Sequence, residues 1–174
     1  MKKAFSLILA LIVCTVFFSA CSTEKKPDSK LDEYLGDYSY SDPAVCMVYE
    51  PVEDEVDDNG NQFYGIQYRQ ITDLDGLLNS GTVIMIYFYS SMSSEAAAVT
   101  AVVEDLAQNY NGRLTVVMLD AMEYRDYITK YEIEAVPEFV LLKPGQSFQK
   151  FDSMSYEYWT GTDVVLWLKS NGIT

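Results

Sequence analysis

The chain contains no histidine, and this absence excludes several kinds of chemistry at once. Without an imidazole it cannot build a Ser-His-Asp or Cys-His catalytic site, or a zinc site that uses histidine. Cysteine is scarce as well, with three among 174 residues. No glycine-rich loop of the kind that cradles a phosphate is present. These enzyme classes are therefore excluded before any fold is considered.

Basic residues are also few. Lysine and arginine number 12 against 26 acidic residues, which gives a net charge of −14. Such a surface repels nucleic acid and anionic membranes, so we expect no nucleic acid partner. Hydrophobic residues make up 49% of the chain, which is enough for a packed core and argues against global disorder.

The N-terminus has the pattern of an export signal. Two lysines precede an apolar run over residues 4–18, which is short for a membrane span but suits a signal peptide. The run ends in Phe-Ser-Ala-Cys, which resembles a bacterial lipobox and implies cleavage before Cys21 and lipid attachment to its sulfur. Two alternatives remain. One is an ordinary signal peptide, although Phe18 occupies the place that wants a small residue, and the other is an uncleaved anchor helix.

This pattern predicts three segments and an extracytoplasmic protein that is lipid-anchored to a bacterial membrane. Residues 1–20 are the signal peptide, 21–43 the lipidated tether and extension, and 44–174 the folded domain. Residues 22–30 are polar and lack apolar periodicity, as expected of a flexible tether. Since Cys14 leaves with the signal and Cys21 carries lipid, the folded domain keeps one thiol, Cys46, which cannot form an internal disulfide.

Strand and helix patterns alternate along the folded part. Strands at 44–51 and 62–71 flank an Asn-Gly turn, which predicts a β-hairpin. Continuous apolar runs predict buried strands, and between them apolar residues recur at helical spacing. The expected buried strands are 83–89, 114–119 and 138–143, with a short strand at 148–151; the expected helices are 73–79, 95–110, 123–131 and 163–170, the last capped by Thr162. This order predicts an α/β fold with a mixed sheet.

Three segments of this pattern resemble thioredoxin over roughly residues 71–172. The strand end 86–89 (Ile-Tyr-Phe-Tyr), the segment 135–137 (Ala-Val-Pro) and the turn 143–145 (Lys-Pro-Gly) carry the resemblance. In that family a Cys-x-x-Cys motif opens a long helix and faces a proline with a cis peptide bond. The resemblance implies a thioredoxin-like mixed β-sheet flanked by helices, here with an N-terminal β-hairpin extension.

The family's reactive residues are missing. Ser93, Ser94, Glu95 and Ala96 stand where Cys-x-x-Cys would be, and Met92 takes the place of the preceding tryptophan. Thioredoxin chemistry needs a low-pKa thiolate at the helix start and a second thiol one turn later, and serine without a base is a poor nucleophile. We therefore expect no catalytic residue, no cofactor and no enzyme activity. Helix capping is the main expectation for the two serines and the glutamate, with ligand contact as the alternative.

The resemblance also implies a place for a partner. In the family, the groove between the motif turn and the cis proline grips extended peptides. Here that groove would be formed by Tyr89, Met92, Val136 and Pro137. The sequence therefore predicts a redox-inactive binding or scaffold module at the cell envelope, which holds a partner protein in this groove or on its aromatic N-terminal extension.

Two other readings of the function stay open. Cys46 lies in an apolar run, where a buried side chain is expected, but it would be a redox participant if it formed a disulfide with a partner thiol. The chain also has fourteen tyrosines, some beside Trp159, and such aromatic groups would suit a glycan-binding surface. We expect no metal site, because the calcium-like loop at 55–60 has Ile66 where the bidentate acid belongs.

Overall fold

The computed structural model describes residues 30–56 and 58–174. Within them, seven strands form one mixed sheet in the order β1-β3-β2-β5-β4-β6-β7. Strands β4 and β5 are parallel, and every other neighbouring pair is antiparallel. The strands are β1 (Leu35–Tyr38), β2 (Ala44–Val56), β3 (Gln62–Ile71), β4 (Ile84–Tyr89), β5 (Thr115–Asp120), β6 (Glu138–Leu142) and β7 (Gln149–Lys150).

Helices cover both faces of this sheet. They are α1 (Leu74–Leu78), α2 (Ala96–Asn109), α3 (Arg125–Lys130) and α4 (Gly161–Ser170), with a 3₁₀ turn at Ser153–Ser155. Side chains of α2 and α4 share one apolar core, and side chains of α1 and of the α3 region share the other. Strand β4 supplies Tyr87 to the first core and Phe88 to the second, because successive residues of a strand point to opposite faces. Its apolar run is continuous because both of its faces are buried.

The α/β fold expected from the sequence is confirmed, and so is the hairpin. Strands β2 and β3 pair antiparallel around the Asn59-Gly60 turn, where Gly60 has a φ of +81° that favours glycine. The apolar run at residues 4–18, the lipobox with Cys21 and the polar tether up to Ser29 lie outside the described residues. None of the helices in the described part of the chain is both long and apolar enough to cross a bilayer.

Strand β1 was not predicted, and it lies inside the segment assigned to the tether and extension. It pairs with β3, and Arg69 fastens it by donating to the carbonyl oxygens of Gly36 (3.0 Å) and Leu35 (3.4 Å) and to the Asp32 carboxylate (2.5 Å). Only Leu35 of its four residues is buried, so the sequence offers no apolar alternation there. The ordered fold therefore begins before Ala44.

The predicted cap of the last helix was wrong by two residues. Thr160, not Thr162, caps α4, in a capping box where the Asp163 carboxylate accepts the Thr160 backbone N–H at 2.8 Å. A capping box needs an acidic or amide side chain three residues after the cap. Asp163 stands three residues after Thr160 but directly after Thr162, so only Thr160 has the required spacing.

Candidate functional site

The turn after β4 and the segment before β6 lie at the same end of the sheet. Strands β4 and β6 pair antiparallel, with Phe88 opposite Glu138, so the end of one strand meets the start of the other. The chain leaves β4 through residues 90–95 and enters α2. Opposite this turn, the Val136–Pro137 peptide bond is cis. The resemblance to thioredoxin assigned Pro137 to the segment that holds the family's cis proline, and the cis peptide bond agrees with that assignment.

A small, shallow groove that is open to solvent separates the turn from the cis proline. Its lining residues are Tyr87, Tyr89, Ser90, Ser93, Glu95, Ala96, Val99, Val136 and Pro137. Three of the four expected groove residues, Tyr89, Val136 and Pro137, are among them. The fourth, Met92, stands on the turn with its side chain 84% exposed and does not line the depression itself.

The residues that stand in place of the Cys-x-x-Cys motif lie at the start of α2. The Ser93 hydroxyl accepts the backbone N–H of Glu95 at 3.2 Å, which supports the turn, and Ser94 is exposed. Glu95 occupies the cap position, but its side chain makes no capping hydrogen bond. Helix α2 therefore has no side-chain cap of the expected kind: the Ser93 hydroxyl supports the turn before the helix, and Glu95 lies at the positive end of the helix dipole. Within the described residues this is the one hydrogen bond of the Ser93 hydroxyl, so no base activates it.

Asp120, the last residue of β5, holds the turn in place by accepting a backbone hydrogen bond from it. Its carboxylate is only 4% exposed and accepts the backbone N–H of Ser91 at 3.3 Å and that of Met122 at 2.8 Å. Sequence reasoning missed this residue. The available signal was an acidic residue at the end of a buried apolar strand, which must find partners because a buried charge is costly.

Glu138 has a similar role on the cis-proline side. It is buried, and its carboxylate accepts the backbone N–H of Phe139 at 2.9 Å and the hydroxyl of Ser153 at 3.3 Å. Burial raises the pKa of Glu138, while these two hydrogen bonds oppose the rise. The residue thus joins the start of β6 to the 3₁₀ turn, and this connection was also missed from the sequence.

Tyr87 lies under the groove with its hydroxyl buried. This hydroxyl has no partner at hydrogen-bonding geometry among the described residues. Burial raises the pKa of Tyr87 to about 12. The phenol therefore stays protonated at neutral pH and cannot serve as a base for Ser93.

The structure does not bring Cys46 to the groove. This cysteine is near the start of β2, opposite Arg69 on β3 and Val117 on β5, and its exposed fraction is 0%. Burial raises the pKa of the Cys46 thiol to about 12 despite the nearby Arg69 guanidinium. Since the thiolate is the reactive form, this environment suits a small buried hydrophobe.

The tyrosines form several separate groups of ring contacts, one of which joins Tyr124, Tyr127 and Tyr131 at centroid distances of 6.0 and 6.4 Å. Tyr40 packs against Tyr68 with ring centroids 5.2 Å apart, and Tyr156 stacks on Phe151 at 5.4 Å. Among the described residues, no three or more His, Cys, Asp or Glu side chains are grouped to hold a metal ion. The calcium-like loop is only partly described, because Asp57 lies outside the described residues.

A thioredoxin family model matches residues 71–158, which is half of the chain and includes the turn, α2 and the cis proline. The chain belongs to the thioredoxin family. The fold is accordingly a thioredoxin-like mixed sheet with flanking helices. The matched region ends before α4 and begins at the last residue of β3, so β1, β2 and nearly all of β3 lie outside it.

The curated relatives are thioredoxins. Thioredoxin Y1 of Arabidopsis thaliana is 26% identical over 78 residues, which is 45% of each chain. Thioredoxin of Staphylococcus aureus is 30% identical over 78 residues, or 45% of this chain and 74% of the relative. The chain thus spans less than half the length of the plant relative.

Solved thioredoxin structures resemble the chain as well. Mitochondrial thioredoxin 3 of Saccharomyces cerevisiae is 24% identical with a TM-score of 0.44, covering 56% of this chain and 82% of its own. The J-Trx1 fragment of ERdj5 is 15% identical with a TM-score of 0.47, covering 59% of this chain and 49% of its own.

Proposed function

We propose that this chain is a redox-inactive member of the thioredoxin family that binds an extended segment of a partner protein without chemistry. One observation carries the proposal. The groove between the turn and the cis proline is present, but Ser93 and Ala96 occupy the two positions at the start of α2 where thiols would stand.

The thiol available in the folded part does not replace them. Thiol–disulfide exchange requires a thiolate that can approach a disulfide sulfur. Cys46 is fully buried under the sheet's covering helices, and its pKa is raised to about 12. A redox role through Cys46 would therefore require the elements packed over this face of the sheet to move away.

The groove retains features that suit an extended peptide. The backbone N–H and C=O of Val136 form no hydrogen bond with any described residue, and Val136 is half-buried. The residue before a proline favours an extended conformation, so both groups are available to a strand-like partner. Tyr89, Val99 and Pro137 provide apolar walls beside them. Main-chain hydrogen bonds flanked by apolar contacts are a common mode of peptide recognition.

We further propose that binding takes place at a bacterial cell envelope. The lipobox-like sequence ending in Cys21 supports a lipid anchor, and the polar residues 22–30 would act as the tether. The glycan-binding alternative has less support, because the exposed Tyr40 and Tyr158 rings are not paired with each other in the structure.

Crosslinking on intact cells tests the binding function. The tethered protein is purified after crosslinking, and attached proteins are identified by mass spectrometry. We expect a stoichiometric partner with the wild-type chain and its loss in the Met92→Asp, Val136→Asp double variant. Leu166→Asp, on the exposed face of α4, is the control and should keep the partner. A partner retained by the double variant would place binding elsewhere and contradict the proposal.

A further inference from the structure

We infer that the groove selects a partner segment in which a lysine or arginine stands beside an apolar residue, with Glu95 as the residue that sets this preference. The inference rests on the proposed peptide-binding function and specifies the partner's chemistry.

Glu95 has an unusual position for a charged residue. It is the one charged side chain among the nine residues that line the groove. It is exposed, and its carboxylate makes no hydrogen bond or ion pair with any described residue. Glu95 stands at the edge of a groove whose other lining residues include the apolar side chains of Val99 and Pro137. A cation carried by a segment in the groove would pair with this exposed carboxylate without displacing another partner.

The remaining charges of the protein favour the same partner. The net charge of −14 creates a negative field around the whole molecule, which attracts cationic segments and repels acidic ones. Within the described residues, the close ion pairs belong to Arg69, which is engaged with Asp32 and Glu50 on the other side of the sheet. No lysine or arginine lines the groove. The cation that pairs with Glu95 must therefore come from the bound segment.

The apolar lining fixes the second element of the preference. Val136 and Pro137 form one side of the groove and Val99 another, so a residue that enters between them is best accommodated if it is apolar. Successive side chains of an extended segment point in opposite directions, so two adjacent residues contact opposite sides of the groove. A basic residue adjacent to an apolar one would thus place its charge at Glu95 while the apolar side chain contacts the cis-proline wall.

Selection from a random peptide library displayed on phage tests this preference. The bait is the full chain in detergent, as wild type and as Glu95→Lys, Asp105→Lys and Val136→Asp variants. Asp105→Lys makes the same change of charge on the exposed face of the same helix, ten residues away, or about 15 Å. We expect wild type and Asp105→Lys to enrich lysine or arginine beside an apolar residue. Glu95→Lys should lose this enrichment.

The affinity of one selected peptide provides a second readout. Fluorescence anisotropy compares the wild type with Glu95→Gln at low and at physiological ionic strength. We expect Glu95→Gln to weaken binding by about two- to fivefold, as for the loss of one partly exposed ion pair. The difference should shrink as salt is added, because screening weakens the wild-type interaction more than that of the neutral variant.

The outcomes separate this inference from the proposed function. Selected peptides that fail to bind Val136→Asp but show no enrichment of lysine or arginine would overturn the inference and leave groove binding intact. The same holds if Glu95→Lys enriches lysine and arginine as strongly as wild type does. Selected peptides that bind Val136→Asp as well as wild type would show that the groove is not the binding site. That result would overturn both.

Discussion

The backbone N–H of Ser91 donates a hydrogen bond to the Asp120 carboxylate at 3.3 Å, across 29 positions of sequence. The same carboxylate accepts the Met122 N–H at 2.8 Å, so one buried side chain holds the loops that follow β4 and β5. These strands are parallel neighbours, and their carboxyl ends meet at the groove. The shape of the groove therefore depends on a residue that does not line it.

Replacing Asp120 should loosen the turn. Asp120→Ala leaves two backbone donors without their acceptor, which typically costs about 1–3 kcal/mol of unfolding free energy. Urea unfolding measures this loss, and hydrogen exchange should accelerate at residues 90–94 and 121–123. Asp126→Ala, on the exposed first turn of α3, is the matched control and should change neither. Unchanged exchange at the turn in Asp120→Ala would show that the carboxylate does not order it.

The two threonines before and within α4 should differ in their contribution to stability. Thr160→Ala removes the cap and its exchange of hydrogen bonds with Asp163, at a cost of about 1 kcal/mol. Thr162→Ala changes an exposed residue in the first turn and should have little effect. Thermal or urea unfolding of both variants checks the assignment. Equal losses from the two substitutions would be inconsistent with the capping box.

Glu138 should make stability depend on pH. Its folded-state pKa is raised by burial above the ordinary value of 4.5, so the folded state holds the proton more tightly than the unfolded state. This contribution to stability is complete below 4.5 and is lost as pH rises through the folded-state pKa. Glu138→Gln does not ionise and keeps an acceptor for the Phe139 N–H.

Urea unfolding of wild type and Glu138→Gln at several pH values tests this sign. As pH rises from the acidic side to neutrality, the stability of the variant should increase relative to that of the wild type. A relative change in the opposite direction would mean that the hydrogen bonds from Phe139 and Ser153 outweigh burial.

Cys46 should be unreactive in the folded protein. In a chain carrying Cys14→Ser and Cys21→Ser, Cys46 is the sole thiol, and its burial raises its pKa to about 12. We expect negligible labelling by a maleimide at mildly alkaline pH and complete labelling in guanidinium chloride. Rapid labelling of the native protein would contradict this expectation and support a redox role for Cys46 with a partner thiol.

Local patterns predicted most of the elements of this fold. The apolar run of β4 and the Asn59-Gly60 turn indicate structure through neighbours in sequence, and both were predicted close to their observed positions. The cis-proline segment and the helix start were also placed at one site, through the resemblance to thioredoxin. The edge strand β1 was missed because its order comes from Arg69, more than thirty residues away.

The supporting residues of the groove were missed for the same reason. The role of Asp120 depends on the pairing of β4 with β5, and that of Glu138 on the position of Ser153. Neither relationship has a local sequence pattern. Glu95 was expected to stabilise the helix start, with ligand contact as the alternative, because the sequence shows its place at a helix start but not its position at the edge of the groove.

Insulin reduction tests most directly whether a thioredoxin-family groove without thiols lacks redox chemistry. The assay compares the wild type, Cys46→Ser, and a Ser93→Cys, Ala96→Cys double variant that restores two thiols at the start of α2. We expect the same background rate for wild type and Cys46→Ser, with any activity confined to the double variant. Reduction by the wild type above the Cys46→Ser rate would contradict it.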